Sequence, residues 1–149
     1  MNYYFEEAIR IAKQGVENKE GGPFGAVVVK DNKIVGYGNN KVLINNDPTA
    51  HAEVTAIRDA CKNLNTYDLT GCIIYSTSEP CPMCLSSIIW SNIKEVYYAT
   101  NRKEVASIGF RDDLIYNYFE GRQRDVIKVE HTENELCKKL LEEYKNVIY

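Results

Sequence analysis

The chain has 149 residues with a formal charge of -3, and 44% of them are hydrophobic, enough apolar material for a buried core and too much for a disordered chain. Its acidic balance, with a pI of about 5.5, argues against a broad nucleic-acid surface, which needs clustered Lys and Arg. Residues 1–10 carry Glu6 and Glu7 and lack a signal-peptide core, and no apolar run nears the roughly 20 residues of a membrane span.

A single domain over 1-149 in the cytoplasm is therefore expected, where the five cysteines read as thiols or metal ligands rather than a disulfide framework. Phe5, Ala8, Ile9, Ala12 and Val16 recur at helical spacing, so residues 2–18 are predicted to form an amphipathic helix, stopped by Gly21-Gly22-Pro23. Residues 24–30 and 33–38 read as two strands of a hairpin turning at Asp31-Asn32. Helical spacing returns after His51 with Val54, Ile57, Cys61 and Leu64. Residues 72–76 form an apolar strand, Leu85, Ile88 and Ile89 mark a helix after Pro82, and Val96–Tyr98 a further strand. Residues 126–130 are predicted as a fifth strand, and Thr132 with Glu135 fits a capping box for a last helix carrying Leu136, Leu140 and Tyr144. This alternation implies a three-layer α/β/α domain with a mixed sheet of about five strands.

The chemistry concentrates at two helix starts. In Cys81-Pro82-Met83-Cys84, two cysteines three apart lie on nearly one side of a helix, where both sulfurs reach one ion and the helix N-terminus favours thiolates. Taken by itself such a pair also fits a redox couple, half of a structural zinc site, or two core thiols. His51 follows the helix-breaking Asp47-Pro48, with Glu53 two residues on. The two lie about 200° apart around a helix, so they converge only on a site off the helix end. Singly, His51 reads as a core histidine and Glu53 as a helix-start carboxylate. Together, His51, Cys81 and Cys84 form a three-ligand zinc set with an open fourth position, the mark of catalytic zinc, and Glu53 is free to move protons. His-x-Glu followed by Pro-Cys-x-x-Cys, here Pro80 to Cys84, is the signature of zinc-dependent nucleobase deaminases.

On "GGPFGAVVVKD", "NDPTAHAEVTAIRDAC", "EPCPMCLSSIIW" and "GFRDDLIY", the chain resembles the cytidine deaminase-like superfamily, and within it the bacterial guanine deaminases. That resemblance implies hydrolysis of guanine to xanthine and ammonia with one zinc per subunit and Glu53 as the proton carrier. Phe24 would stack on the base, Asn40 would meet the purine edge, and the backbone N–H of Ala52 would donate to the substrate carbonyl. Trp90 would wall the pocket, and Asp112, or Asp113 beside it, would accept the donors of the guanine edge. The terminal Tyr149 would close the pocket of a partner in a domain-swapped homodimer. Read without the resemblance, Phe24 and Trp90 are ordinary core aromatics, Asn40 a loop asparagine, Asp112 a solvated acid and Tyr149 a frayed end.

Three other readings compete. A tRNA adenosine deaminase shares the metal motif but needs a basic face for its RNA. A deaminase of guanosine, another aminated base or an aminotriazine would share the same donor edge. A non-enzymatic zinc module would recruit a fourth ligand from Cys61, Cys72 or His131, none of which is spaced like a finger partner.

Overall fold

The computed structural model describes residues 2–149, which divide into a unit ending at Tyr116 and a second unit, Asn117–Tyr149. In the first, α1 (Tyr3–Glu17) starts at an Asn2 cap, whose side chain accepts from the Tyr4 N–H. Strands β1 (Gly25–Lys30) and β2 (Lys33–Asn39) pair antiparallel around Asp31 and Asn32, whose φ of 49° and 63° are those of a type I′ turn. The short α2 (Val42–Asn45) and then α3 (Ala52–Leu64) lead to β3 (Ile73–Ser78), α4 (Pro82–Trp90) and β4 (Glu95–Thr100). Two further helices, α5 (Arg102–Ser107) and α6 (Asp112–Phe119), follow β4.

The sheet has the order β2-β1-β3-β4, with β1 antiparallel to both neighbours and β3 parallel to β4. It is mixed, as the sequence implies, but holds four strands rather than five among the described residues. The expected strand at 126–130 is absent: Arg124–Val126 is a 3-10 turn and the residues after it are irregular. Its alternating apolar residues have no strand beside them in the sheet.

Side chains alternate across the sheet, and that alternation sorts the core into two layers. Val27, Val29 and Tyr75 face Ala8 and Tyr4 of α1. Ala26, Val28 and Ile74 face Ala52, Ala56 and Ala60 of α3 and Ile88 of α4. The three alanines recur every fourth residue and present a smooth stripe to the sheet. Opposite them stand Gly36 and Gly38, where an added Cβ would collide with the backbone of Ala56 and Ala60, and of Ala52 and Ala56. The helix carrying His51 and Glu53 therefore lies directly on β2.

The second unit contains the 3-10 turn and α7 (Glu135–Glu143). The helix begins two residues later than a Thr132–Glu135 box requires: Asn134 is its cap and accepts from the Cys137 N–H. Leu136, Leu140, Leu141 and Tyr144 are all exposed. No helix among the described residues is long and apolar enough to cross a membrane.

Gly38→Ala is expected to destabilise the protein by about 1–3 kcal/mol or more, because the new methyl meets backbone that cannot rotate aside. A urea midpoint unchanged from the parent protein would show that α3 does not rest on β2 in this way.

Candidate active site

Strand directions bring the chemistry to one end of the sheet. β2, β3 and β4 run the same way, so the segments leaving their C-terminal ends emerge together, beside the start of β1 at Gly25. Those segments lead to His51, to Cys81 and to Asp112 respectively. Open sheets with helical crossovers collect ligands at this edge.

Local chemistry then sets each helix start. Asp47 Oδ1 accepts from the Thr49 N–H at 2.8 Å and from the Thr49 hydroxyl at 2.6 Å, and Arg58 donates to Asp47 Oδ2. The Asp-Pro-Thr stretch is thus a braced turn that delivers His51 as the N-cap of α3, in extended conformation at φ -67° and ψ 160°. Cys81 is the N-cap of α4, also extended, with Pro82 in the first turn. The His51 side chain makes no capping bond to α3, and the Cys81 sulfur meets Cys84 of its own helix. Both point their donor atoms at each other.

The imidazole Nδ1 of His51 lies 3.6 Å from the Cys81 sulfur and 3.5 Å from that of Cys84, and all three donors fall within 4.8 Å of one another. Zinc bonds of about 2.3 Å to sulfur and about 2.0–2.1 Å to nitrogen, at the tetrahedral angle, place N and S about 3.6 Å apart. The donor set fits zinc in number, softness and spacing. Both sulfurs are buried.

Electrostatics prepare the same set. The Cys84 thiol donates to Cys81 and, with His51 beside it, pulls the Cys81 thiol down to about 4. Cys84, hydrogen-bonded to that thiolate and buried, is pushed up. His51 is raised by its bond to Cys81, against the opposing effect of burial. Zinc displaces these protons on binding.

Glu53, in the first turn of α3, is 5% exposed yet lines the cleft. The hydroxyl of Ser76, on the α3 side of β3, donates to its Oε1 at 2.7 Å. Glu53 also lies within hydrogen-bonding reach of Cys84. The carboxylate is thus braced from β3 and from α4.

The cleft has a volume of about 460 Å³. Phe24 lines it, its ring edge-on to Phe110 with centroids 4.8 Å apart. Asn40 also lines the cleft and is buried, its Oδ1 accepting from the Val42 N–H at 3.0 Å. Gly21 is required alongside, since a Cβ there would strike the Asn40 side chain. The Ala52 methyl is in the core, so this residue offers the cleft its backbone rather than its side chain. Asp112 lines the cleft at the start of α6 rather than on a loop, its carboxyl raised by burial and by the charge of Cys81.

Trp90 and Tyr149 are not among the residues that line this cleft. Trp90 lies at the far end of α4, about 13 Å of helix rise from Cys81, is 77% exposed and does not line the cleft. Tyr149 belongs to the second unit and is exposed. Conversely, Phe110, Glu79 and Leu43 line the cleft without having been singled out. Phe110 stands in the "GFRDDLIY" stretch, where an aromatic just before Asp112 is the available signal.

A three-layer α/β/α fold with a zinc set at two helix starts, and a buried carboxylate beside it, defines a zinc-dependent hydrolytic deaminase. Residues 1–100 match the cytidine and deoxycytidylate deaminase zinc-binding region. The chain belongs to that family. It is 52% identical to the guanine deaminase of Bacillus subtilis (strain 168) over 113 residues, which are 76% of this chain and 72% of the relative. It is 35% identical over 145 residues to the tRNA-specific adenosine deaminase of Buchnera aphidicola subsp. Schizaphis graminum, covering 97% of this chain and 94% of the relative. The crystal structure of a Bacillus subtilis guanine deaminase superposes with a TM-score of 0.91 at 42% identity, over 99% of this chain and 96% of the other.

Cys84→Ala is expected to lose its zinc on dialysis, whereas Cys61→Ala and Cys72→Ala retain it. Metal analysis of the three proteins decides this, and a Cys84→Ala protein that keeps its full zinc content contradicts the ligand set. Ser76→Ala removes a hydrogen bond to a charged group, so kcat should drop about ten- to a hundredfold with zinc retained. An unchanged kcat would show that the hydroxyl does not orient Glu53.

Proposed function

We propose that the protein hydrolyses guanine to xanthine and ammonia. The observation that carries this reading is Asp112, a half-buried carboxylate lining the same cleft as His51, Cys81 and Glu53. Guanine presents N1–H and its exocyclic amine as adjacent donors, and a carboxylate accepts both. A site built around such an acceptor rejects adenine, which lacks that pair of donors. The relative from Bacillus subtilis supports the same substrate.

His51, Cys81 and Cys84 hold the zinc, which when bound lowers the pKa of water toward neutrality. The oxygen that replaces the amine at C2 comes from water. Glu53 takes a proton from that water and passes it to the departing nitrogen, which leaves as ammonia. Ser76 keeps the Glu53 carboxylate aimed through both transfers. Phe24 stacks on the purine with Phe110 against its edge, Asn40 offers Nδ2 to the ring, and the Ala52 N–H, at a helix start, donates to the carbonyl.

The whole chain, 1-149, acts in this reading as one functional domain and works in the cytoplasm as a homodimer. Free thiols at all five cysteines fit that compartment. The exposed apolar side of α7 supports exchange of the C-terminal segment between subunits, which would bring Tyr149 to a partner's cleft and exclude water from it. The tRNA adenosine deaminase reading is the runner-up, favoured by the length of the match to that relative and opposed by the acidic charge of the chain.

Ammonia release from zinc-loaded protein should be seen with guanine and not with adenine, cytosine or a tRNA anticodon stem, with guanosine as the closest competitor. Turnover of the anticodon stem in preference to guanine would overturn the substrate assignment. Glu53→Gln should retain zinc and lose about a hundred- to ten-thousandfold in kcat; full activity in that variant removes the proton carrier.

A further inference from the structure

Asp112 faces the cleft only if α6 is held in one rotational setting, and none of the described residues of α6 is buried. Core burial therefore does not fix that setting. Within the first unit, two side-chain contacts can. At the start of the helix Phe110 meets Phe24 edge-on. On its flank, the Arg102 guanidinium lies over the Tyr116 ring, 4.3 Å from its centroid, and the Arg102 Nε stands 3.9 Å from Asp113 Oδ1.

The spacing gives these contacts their meaning. Tyr116 is four residues beyond Asp112, so the two share a face, while Asp113 is turned about 100° away. Holding Tyr116 and Asp113 together fixes the rotation of the helix from two directions. Arg102 is itself well anchored. It is the first residue of α5, whose start is closed by a reciprocal capping box: the Glu104 N–H donates to Asn101 Oδ1 at 3.0 Å, and the Asn101 N–H to Glu104 Oε2 at 2.7 Å. One residue earlier, Thr100 ends β4 and its carbonyl accepts from the Glu79 N–H at 2.7 Å. The guanidinium thus hangs from the rigid end of the sheet.

We infer that Arg102 is a positioning residue: stacked on Tyr116 and paired with Asp113, it sets the rotation of α6 so that Asp112, and not Asp113, reads the substrate edge. Of the two contacts the stacking one is the stronger. The ion pair is long, and its members are 40% and 56% exposed, a setting in which solvent screens most of the attraction, whereas a guanidinium over an aromatic face retains a modest attraction at exposed sites. This inference rests on Asp112 as the acceptor of the proposed function, and it also explains why the two adjacent acids are not interchangeable.

The test uses the full-length zinc-loaded protein and the variants R102A, R102K, Y116L and D113N, assayed with guanine, with amide hydrogen exchange followed over residues 112–116. R102A is expected to raise KM about tenfold, to leave kcat within about twofold, to keep its zinc and to exchange faster in α6. R102K, which keeps the charge and loses the planar stack, should fall nearer R102A than the parent protein. Y116L should reproduce R102A with little further effect from combining the two, and D113N should change KM by less than about threefold. The inference is overturned if R102A leaves KM and exchange unchanged, if D113N raises KM as much as R102A, or if R102A loses kcat and zinc together. Should the parent protein not turn over guanine, the substrate reading fails by itself. Exchange then decides the role of Arg102: faster exchange in R102A supports the strap, and unchanged exchange overturns it.

Discussion

Everything at this site depends on holding two helix starts so close that an imidazole nitrogen and two sulfurs lie one tetrahedral edge apart, at 3.5 and 3.6 Å. Neither helix can arrange this by itself. The first requirement is that β2 and β3 run the same way, so that α3 and α4 begin at one end of the sheet. The second is that α3 sits low enough for its N-terminus to reach α4. Small residues on both sides meet that need: alanines at every fourth position of the helix and two glycines of β2 beneath them. A metal site is thus specified partly by residues that never approach the metal.

The division of labour among the polar groups follows from burial. Soft, easily deprotonated sulfurs are placed out of water, where a metal replaces their protons more readily than solvent stabilises their charge. Glu53 is equally buried but stands outside that set, held by a hydroxyl rather than by an ion. A carboxylate bound to zinc would be a poor carrier of protons. One held by Ser76 and Cys84 keeps its orientation beside the metal set.

Sequence reading recovered the metal set and its setting because helix starts announce themselves locally. Asp47-Pro48-Thr49 excludes helix before His51, and Pro82 is suited to a first turn after Cys81. The hairpin was legible for the same reason, since Asp31-Asn32 accepts the positive φ values its turn demands. What escaped was set by long-range packing. The apolar alternation at 126–130 resembles a strand, but β-structure requires a neighbouring strand that no local pattern supplies. Trp90 sits in a stretch that resembles the family, yet its direction depends on the length of α4, which carries it away from the cleft. Helices α5 and α6 are short and bury little beyond Val105, so Asp112 reads as a loop acid. Phe110 matters through its contact with Phe24, far away in sequence.

The unusual occupants of the two N-cap positions have a thermodynamic consequence for anyone who would engineer this protein. A Ser, Asp or Asn at position 51 or 81 would close its helix start and is worth about 0.5–2 kcal/mol over a side chain that does not cap. His51 and Cys81 turn their donor atoms to each other instead. A stability screen blind to chemistry would flag both sites as defects and repair them, trading the metal for a firmer helix.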